Sequence, residues 1–210
     1  MRAHGFSAAA LMPLDVLLAL TLFAFVMAFT PGPNNILLTA SGVNFGFART
    51  VPHLLGVDIG FVVLLAVFAA GLGLIFAALP ALQLVLKIAG AAYMLWLAWK
   101  VASAKPVDGT AAALGRPMTF LQAAAFQWVN PKAFVAALSG VAVYMRPGHE
   151  REDFAIVLAV FALATALSTA TWAGFGVALR RFLRDPVHAR IFNVGMGLLL
   201  VASIYPIVTE

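Results

Sequence analysis

Two short runs carry the chemistry in an otherwise apolar chain. The first is Thr30-Pro31-Gly32-Pro33-Asn34-Asn35. A proline removes a backbone donor and clashes with the preceding turn, so two prolines around a glycine interrupt a helix rather than bend it. The freed backbone groups, with Asn34 and Asn35 beside them, place donors and acceptors at one level of an apolar segment. The second run is Gln127-Trp128-Val129-Asn130-Pro131-Lys132. It repeats the combination of amides and proline and adds a cation. Lys132 lies about 14 residues into its apolar segment, roughly 20 Å at 1.5 Å per residue. A lysine at that depth in a bilayer faces the bundle interior and meets a partner or an anionic group of a ligand.

Asp58, in Gly56-Val57-Asp58-Ile59-Gly60, has two readings. It carries a proton or meets a ligand ammonium, or it is an interfacial residue bathed in water. A structural ion pair between Lys132 and Asp58 is the plain alternative to a ligand role for the lysine. His53 reads as a loop residue, and Lys87 as an anchor whose stem lies in the apolar zone while its amine reaches the interface. Other chemistries are missing. The sequence has no cysteine, no H-E-x-x-H, no G-x-x-x-x-G-K-[ST] and no pair of deep carboxylates. No catalytic residue, metal site or cofactor is therefore expected. Any active transport would use an ion gradient.

The elements that must position these residues follow from composition. The chain is 63% hydrophobic and only 10% charged, against about 25% charged in soluble domains. That much apolar surface belongs against lipid. A spanning helix needs about 20 apolar residues, and six stretches qualify, near residues 14–43, 54–79, 81–101, 118–144, 154–179 and 191–208. The expected fold is an all-α membrane protein, one membrane domain over residues 1–210. Residues 12–102 form a first three-helix repeat, 103–117 a cytoplasmic linker and 118–208 a second repeat. Trp96, Trp99, Tyr144 and Tyr205 fall near span ends, as an aromatic belt would. Glycines at 71, 73, 90, 174, 176, 195 and 197 read as small residues for close helix packing.

Basic residues segregate. Arg49, Lys100, Lys105, Arg116, Arg180, Arg181, Arg184 and Arg190 fall on one side of a six-span layout, against Arg2, Arg146 and Arg151 on the other. The richer side is cytoplasmic by the positive-inside rule, so both termini are expected outside. The net charge of +5 serves topology, and no nucleic-acid partner is expected. A cleaved signal peptide is not expected either. Three spans per half require that related halves be inverted. At an offset of 98, Thr21 matches Thr119, Pro33 matches Pro131, and Ser41-Gly42-Val43 matches Ser139-Gly140-Val141. The prediction is two inverted three-helix repeats with helices 1 and 4 broken near the midplane.

These residues also carry a resemblance. The run from Phe29 to Leu38, with Gly46-Phe47 and Gly56-x-x-x-Gly60, resembles the lysine-exporter (LysE) superfamily, and most closely its homoserine/threonine-efflux (RhtB) branch. The stretch from Ala89 to Lys100 is similar to that family's third span, and Gln127-x-x-Asn130-Pro131-Lys132 to its fourth. The resemblance implies a secondary exporter of amino acids or derivatives in the inner (plasma) membrane, driven by proton antiport. Homoserine, threonine, leucine, cysteine and O-acetylserine are the candidate solutes. The expected substrate-binding set is Pro31, Gly32, Pro33, Asn34, Asn35, Gln127, Asn130, Pro131 and Lys132. Lys132 and half-helix amides suit a carboxylate, and Asn34, Asn35, Asn130 and freed carbonyls suit an ammonium. The remaining partners are membrane lipids and a second copy in a homodimer, for which no seam stands out.

Three other classes stand beside this one. An inorganic cation exporter is disfavoured by few carboxylates and no deep His or Cys. A membrane-embedded enzyme using Asp58 and Lys132 on a lipid would need more cationic or metal-binding residues. A non-transporting membrane subunit would use Pro33 and Asn34 for packing only.

Overall fold

The computed structural model describes residues 12–72, 78–104, 116–183 and 185–205. The described residues are helical, with no strand. The termini, Gly73 and most of the expected linker at 103–117 lie outside them.

The chain opens with α1 (Leu14–Phe29). Helix α2 (Pro33–Phe45) follows after a break at Thr30–Gly32, and the two are bent by 52°. Pro33 sits in the first turn of α2, where its missing N–H costs nothing. Gly46 joins α2 to α3 with φ 78°, a left-handed turn suited to glycine. Helix α3 (Phe47–Val67) runs into a looser π-type segment, Phe68–Leu72. Pro80 then starts α4 (Pro80–Ala102). The fourth expected segment is divided. Helix α5 (Phe120–Phe126) is capped by Thr119 and Gln122 and stops, and α6 (Pro131–Tyr144) begins anew with Asn130 as its cap. Helices α7 (Glu150–Leu179) and α8 (Pro186–Ala202) complete the bundle.

By length and composition, three helices could cross a membrane alone: Phe47–Gly71, Leu84–Ala102 and Glu150–Leu179. The bent pair Leu14–Phe29 and Pro33–Phe45 makes a fourth if taken as one span. Pro131–Tyr144 and Pro186–Ala202 are apolar but shorter. At 1.5 Å per residue, the 17 residues of α8 reach about 25 Å, short of a hydrocarbon core of about 30 Å. Leu14, Leu18, Leu22 and Val26, one stripe of α1, are each more than half exposed. Such a stripe suits lipid, and its backbone is satisfied within the helix.

Helix α7 is the organising element. It packs on α1, α2 and α3, while α4 pairs with α8 and α3 with α5. Two glycines set the α2–α7 crossing. A Cβ on Gly42 would strike the Ala173 carbonyl, and one on Gly176 would strike the Thr39 carbonyl. Small residues at both points let the backbones touch. Gly60 similarly meets the Ala124 backbone, where an added Cβ would fall 2.5 Å from the Ala124 Cα. Of the other glycines expected to pack, Gly90 and Gly197 do so, but Gly71, Gly174 and Gly195 face open space. Two apolar clusters result. One joins Leu20, Phe61, Leu64, Ala137 and Phe161, and the other joins Leu37, Met94, Leu97, Phe126 and Leu200.

One expectation is corrected. His53 is not in a loop. Helix α3 starts at Phe47, not near Leu54, so the imidazole falls inside the helix and is buried. Pro52 suggests a loop before the helix, but near a helix start a proline is tolerated.

Candidate functional site

The two breaks meet. Asn34, in the first turn of α2, donates from Nδ2 to Gln127 Oε1 at 2.8 Å. Gln127, in the turn that ends α5, donates back from Nε2 to Asn34 Oδ1 at 3.2 Å. Gln127 also donates to the Ala123 carbonyl at 2.9 Å, one helical turn back. Its side chain is fully buried, so these bonds decide whether it is tolerated there.

The C-terminal end of α1 exposes carbonyls that a continuing helix would have used. Other elements satisfy them. Asn35 Nδ2 donates to Ala28 and Thr30 oxygens at 3.0 and 2.9 Å. Ser168 Oγ, from α7, donates to the Ala28 oxygen at 2.7 Å. Lys132 Nζ donates to the Thr30 oxygen. A cation at the negative end of a helix dipole is well placed. Asn130 serves its own helix instead, since its Oδ1 accepts from the Lys132 amide at 3.2 Å and caps α6.

These groups surround a small, open cavity. Of the expected set, Gly32, Pro33, Asn34, Asn35, Gln127, Asn130 and Lys132 line it. Pro31 and Pro131 do not; they shape the breaks. Asn35 and Asn130 line the cavity but spend side-chain groups on helix ends. Thr165, Ser168 and Thr169 of α7 also line it, and sequence reasoning missed them. Their spacing of three and four residues puts them on one helical face, a signal present in an uncharged segment.

Asp58 stands just behind. Thr169 Oγ1 lies 3.0 Å from its Oδ1 and 3.2 Å from Oδ2, a donor to the carboxylate. Val57 and Thr169 line the cavity, so the carboxylate adjoins it through one hydroxyl. Among the described residues no ion pair joins Asp58 to Lys132; the pairs are Arg146–Asp153 and His188–Asp185. No group of three or more His, Cys, Asp or Glu that could hold a metal occurs among the described residues either.

Apolar helices with two broken segments that bring amides, hydroxyls and a lysine to one largely apolar cavity suit a membrane transporter. Residues 25–203 match the LysE type translocator family, and the chain belongs to that family. It is 32% identical over 182 residues to a cysteine/O-acetylserine efflux protein of Escherichia coli (strain K12). The aligned region covers 85% of this chain and 90% of the relative. A protein of the same description from Shigella flexneri matches to the same extent. No solved structure matches significantly.

Proposed function

We propose that this chain is a secondary exporter of small zwitterionic amino acids or derivatives, of the cysteine/O-acetylserine kind, coupled to proton entry across the inner membrane. The observation that carries this reading is the double amide bond between Asn34 and Gln127, with Lys132 beside it. It places two helix breaks and a cation on one cavity. A zwitterion needs acceptors for its ammonium and donors for its carboxylate. The α1 carbonyls at Ala28 and Thr30, which here accept from Asn35, Ser168 and Lys132, suit the ammonium. Lys132, swung off Thr30, suits the carboxylate. Asp58, one hydroxyl from the cavity, is the proton carrier of this scheme.

The fold in the membrane is six spans as two inverted three-helix repeats, 12–102 and 118–208, with the broken segments at the midplane and both termini outside. Supporting it, Pro33 and Pro131 both restart helices in their first turns, at the expected offset. The relatives' descriptions support the solute class.

The test is export. Cells overproducing the protein should accumulate cysteine or O-acetylserine outside and resist toxic amino-acid analogues. If Pro33→Ala, Asn34→Ala and Lys132→Ala all insert normally and export at the wild-type rate, the site is elsewhere.

A further inference from the structure

A second cavity is lined by Leu37, Ala40, Ser41 and Asn44 of α2, His53 of α3, and Lys100 and Arg116 at its basic margin. Helix α2 thus lines both cavities, and Ser41 is seven residues beyond Asn34, about 10 Å along the axis. His53 is 1% exposed. Its Nδ1 lies 3.0 Å from Ser41 Oγ. Its Nε2 is buried and has no hydrogen-bond partner among the described residues. Buried polar nitrogens are nearly always bonded, so one left without a partner on a residue that lines a cavity points to a ligand. When the Ser41 hydroxyl donates to Nδ1, the ring proton is on Nε2, which becomes a donor. Asn44 is already engaged with Ala40 and Asn193. Lys100 Nζ rests on the Trp96 ring, 4.6 Å from its centroid, an arrangement that holds the charge at the margin.

A neutral donor inside and two cations at the margin fit an anionic head rather than a cation. We propose that this cavity is a second solute site, which takes the carboxylate of a small amino acid on His53 Nε2, Lys100 and Arg116. The solute then passes along α2 to the cavity at Asn34. The proposal rests on the exporter reading and adds the site of first capture.

The test uses the purified full-length protein in proteoliposomes, with O-acetylserine as probe and initial rates measured against concentration. His53→Ala and His53→Asn should raise KM about tenfold, the scale of one lost bond to a charged group, and far more than they lower the maximal rate. His53→Gln, which keeps a donor at the Nε2 position, should return KM close to wild type. Asparagine keeps a group near Nδ1, so if Asn rescues as well as Gln, the ring serves only to hold Ser41 and the proposal is overturned. It is also overturned if wild-type protein transports and all three variants share its KM. The same holds if the KM effect vanishes in vesicles without anionic lipid, which would assign the site to a headgroup. Failure of the wild type to move O-acetylserine, cysteine or threonine overturns the exporter reading itself, and this site with it.

Discussion

Asn34 and Gln127 exchange two amide hydrogen bonds, at 2.8 and 3.2 Å, although they are 93 residues apart. Each stands at a break in an apolar segment. The pair therefore ties the start of α2 to the end of α5, and removing one partner strands the other. Asn34→Leu should destabilise the protein by about 1–3 kcal/mol, the cost of a buried polar group left unpaired. Gln127→Leu should cost less than that, because the Asn34 it strands is half-buried beside an open cavity, and the double variant should cost less than the sum of the two. Thermal unfolding in detergent, read as a double-mutant cycle, checks this. Strict additivity would mean the two amides do not act as a pair.

Gly42 and Gly176 fix how closely α2 approaches α7. The atoms a new Cβ would meet are backbone carbonyls, which cannot swing aside. Gly42→Val and Gly176→Val should each destabilise by at least about 1–3 kcal/mol, the usual range for overpacking. Gly174→Ala, with nothing within 4 Å, should stay within about 0.5 kcal/mol of wild type. Yield of monodisperse protein on size exclusion separates the two groups. Equal behaviour at positions 174 and 176 would contradict the crossing described.

Gly32 controls Lys132. A Cβ there would fall 2.8 Å from Lys132 Cδ. Because that atom belongs to a flexible side chain, Gly32→Ala should fold but push the amine off the Thr30 carbonyl. Export should drop several-fold, about 1 kcal/mol in barrier terms, with insertion unchanged. Wild-type export by Gly32→Ala would show that the resting place of the lysine has no bearing on transport.

Asp58 and Thr169 separate coupling from binding. If the carboxylate carries the proton, Asp58→Asn should abolish pH-driven export yet leave solute exchange between equal pools intact. If it binds the solute ammonium instead, exchange should fail as well. Thr169→Val removes the hydroxyl that hydrogen-bonds the carboxylate and should alter the pH dependence of export. An unchanged pH profile in both variants removes Asp58 from the mechanism.

Much of the local backbone is legible in the residues. Proline lacks the N–H that an interior helical turn needs and clashes with the turn before it, so the interruptions at Pro31–Pro33 and Asn130–Pro131 follow from covalent structure. The apolar composition likewise dictates a membrane chain, and the motifs carry the family resemblance. Lys132 and the amides stand out because polar groups are costly in apolar segments.

What the residues could not supply is the rotation of each helix. His53 reads as a loop residue in the sequence because its burial depends on α2 lying against α3 and on Ser41 meeting its ring. Thr165, Ser168 and Thr169 share a face, but only the crossing at Gly42 and Gly176 turns that face toward the breaks. Sequence alone determined where helices stop and which side chains are too polar for lipid, since those depend on bonds and composition within a few residues. Tertiary structure decided which of those side chains meet, since that depends on crossing angles set by contacts far apart in the chain.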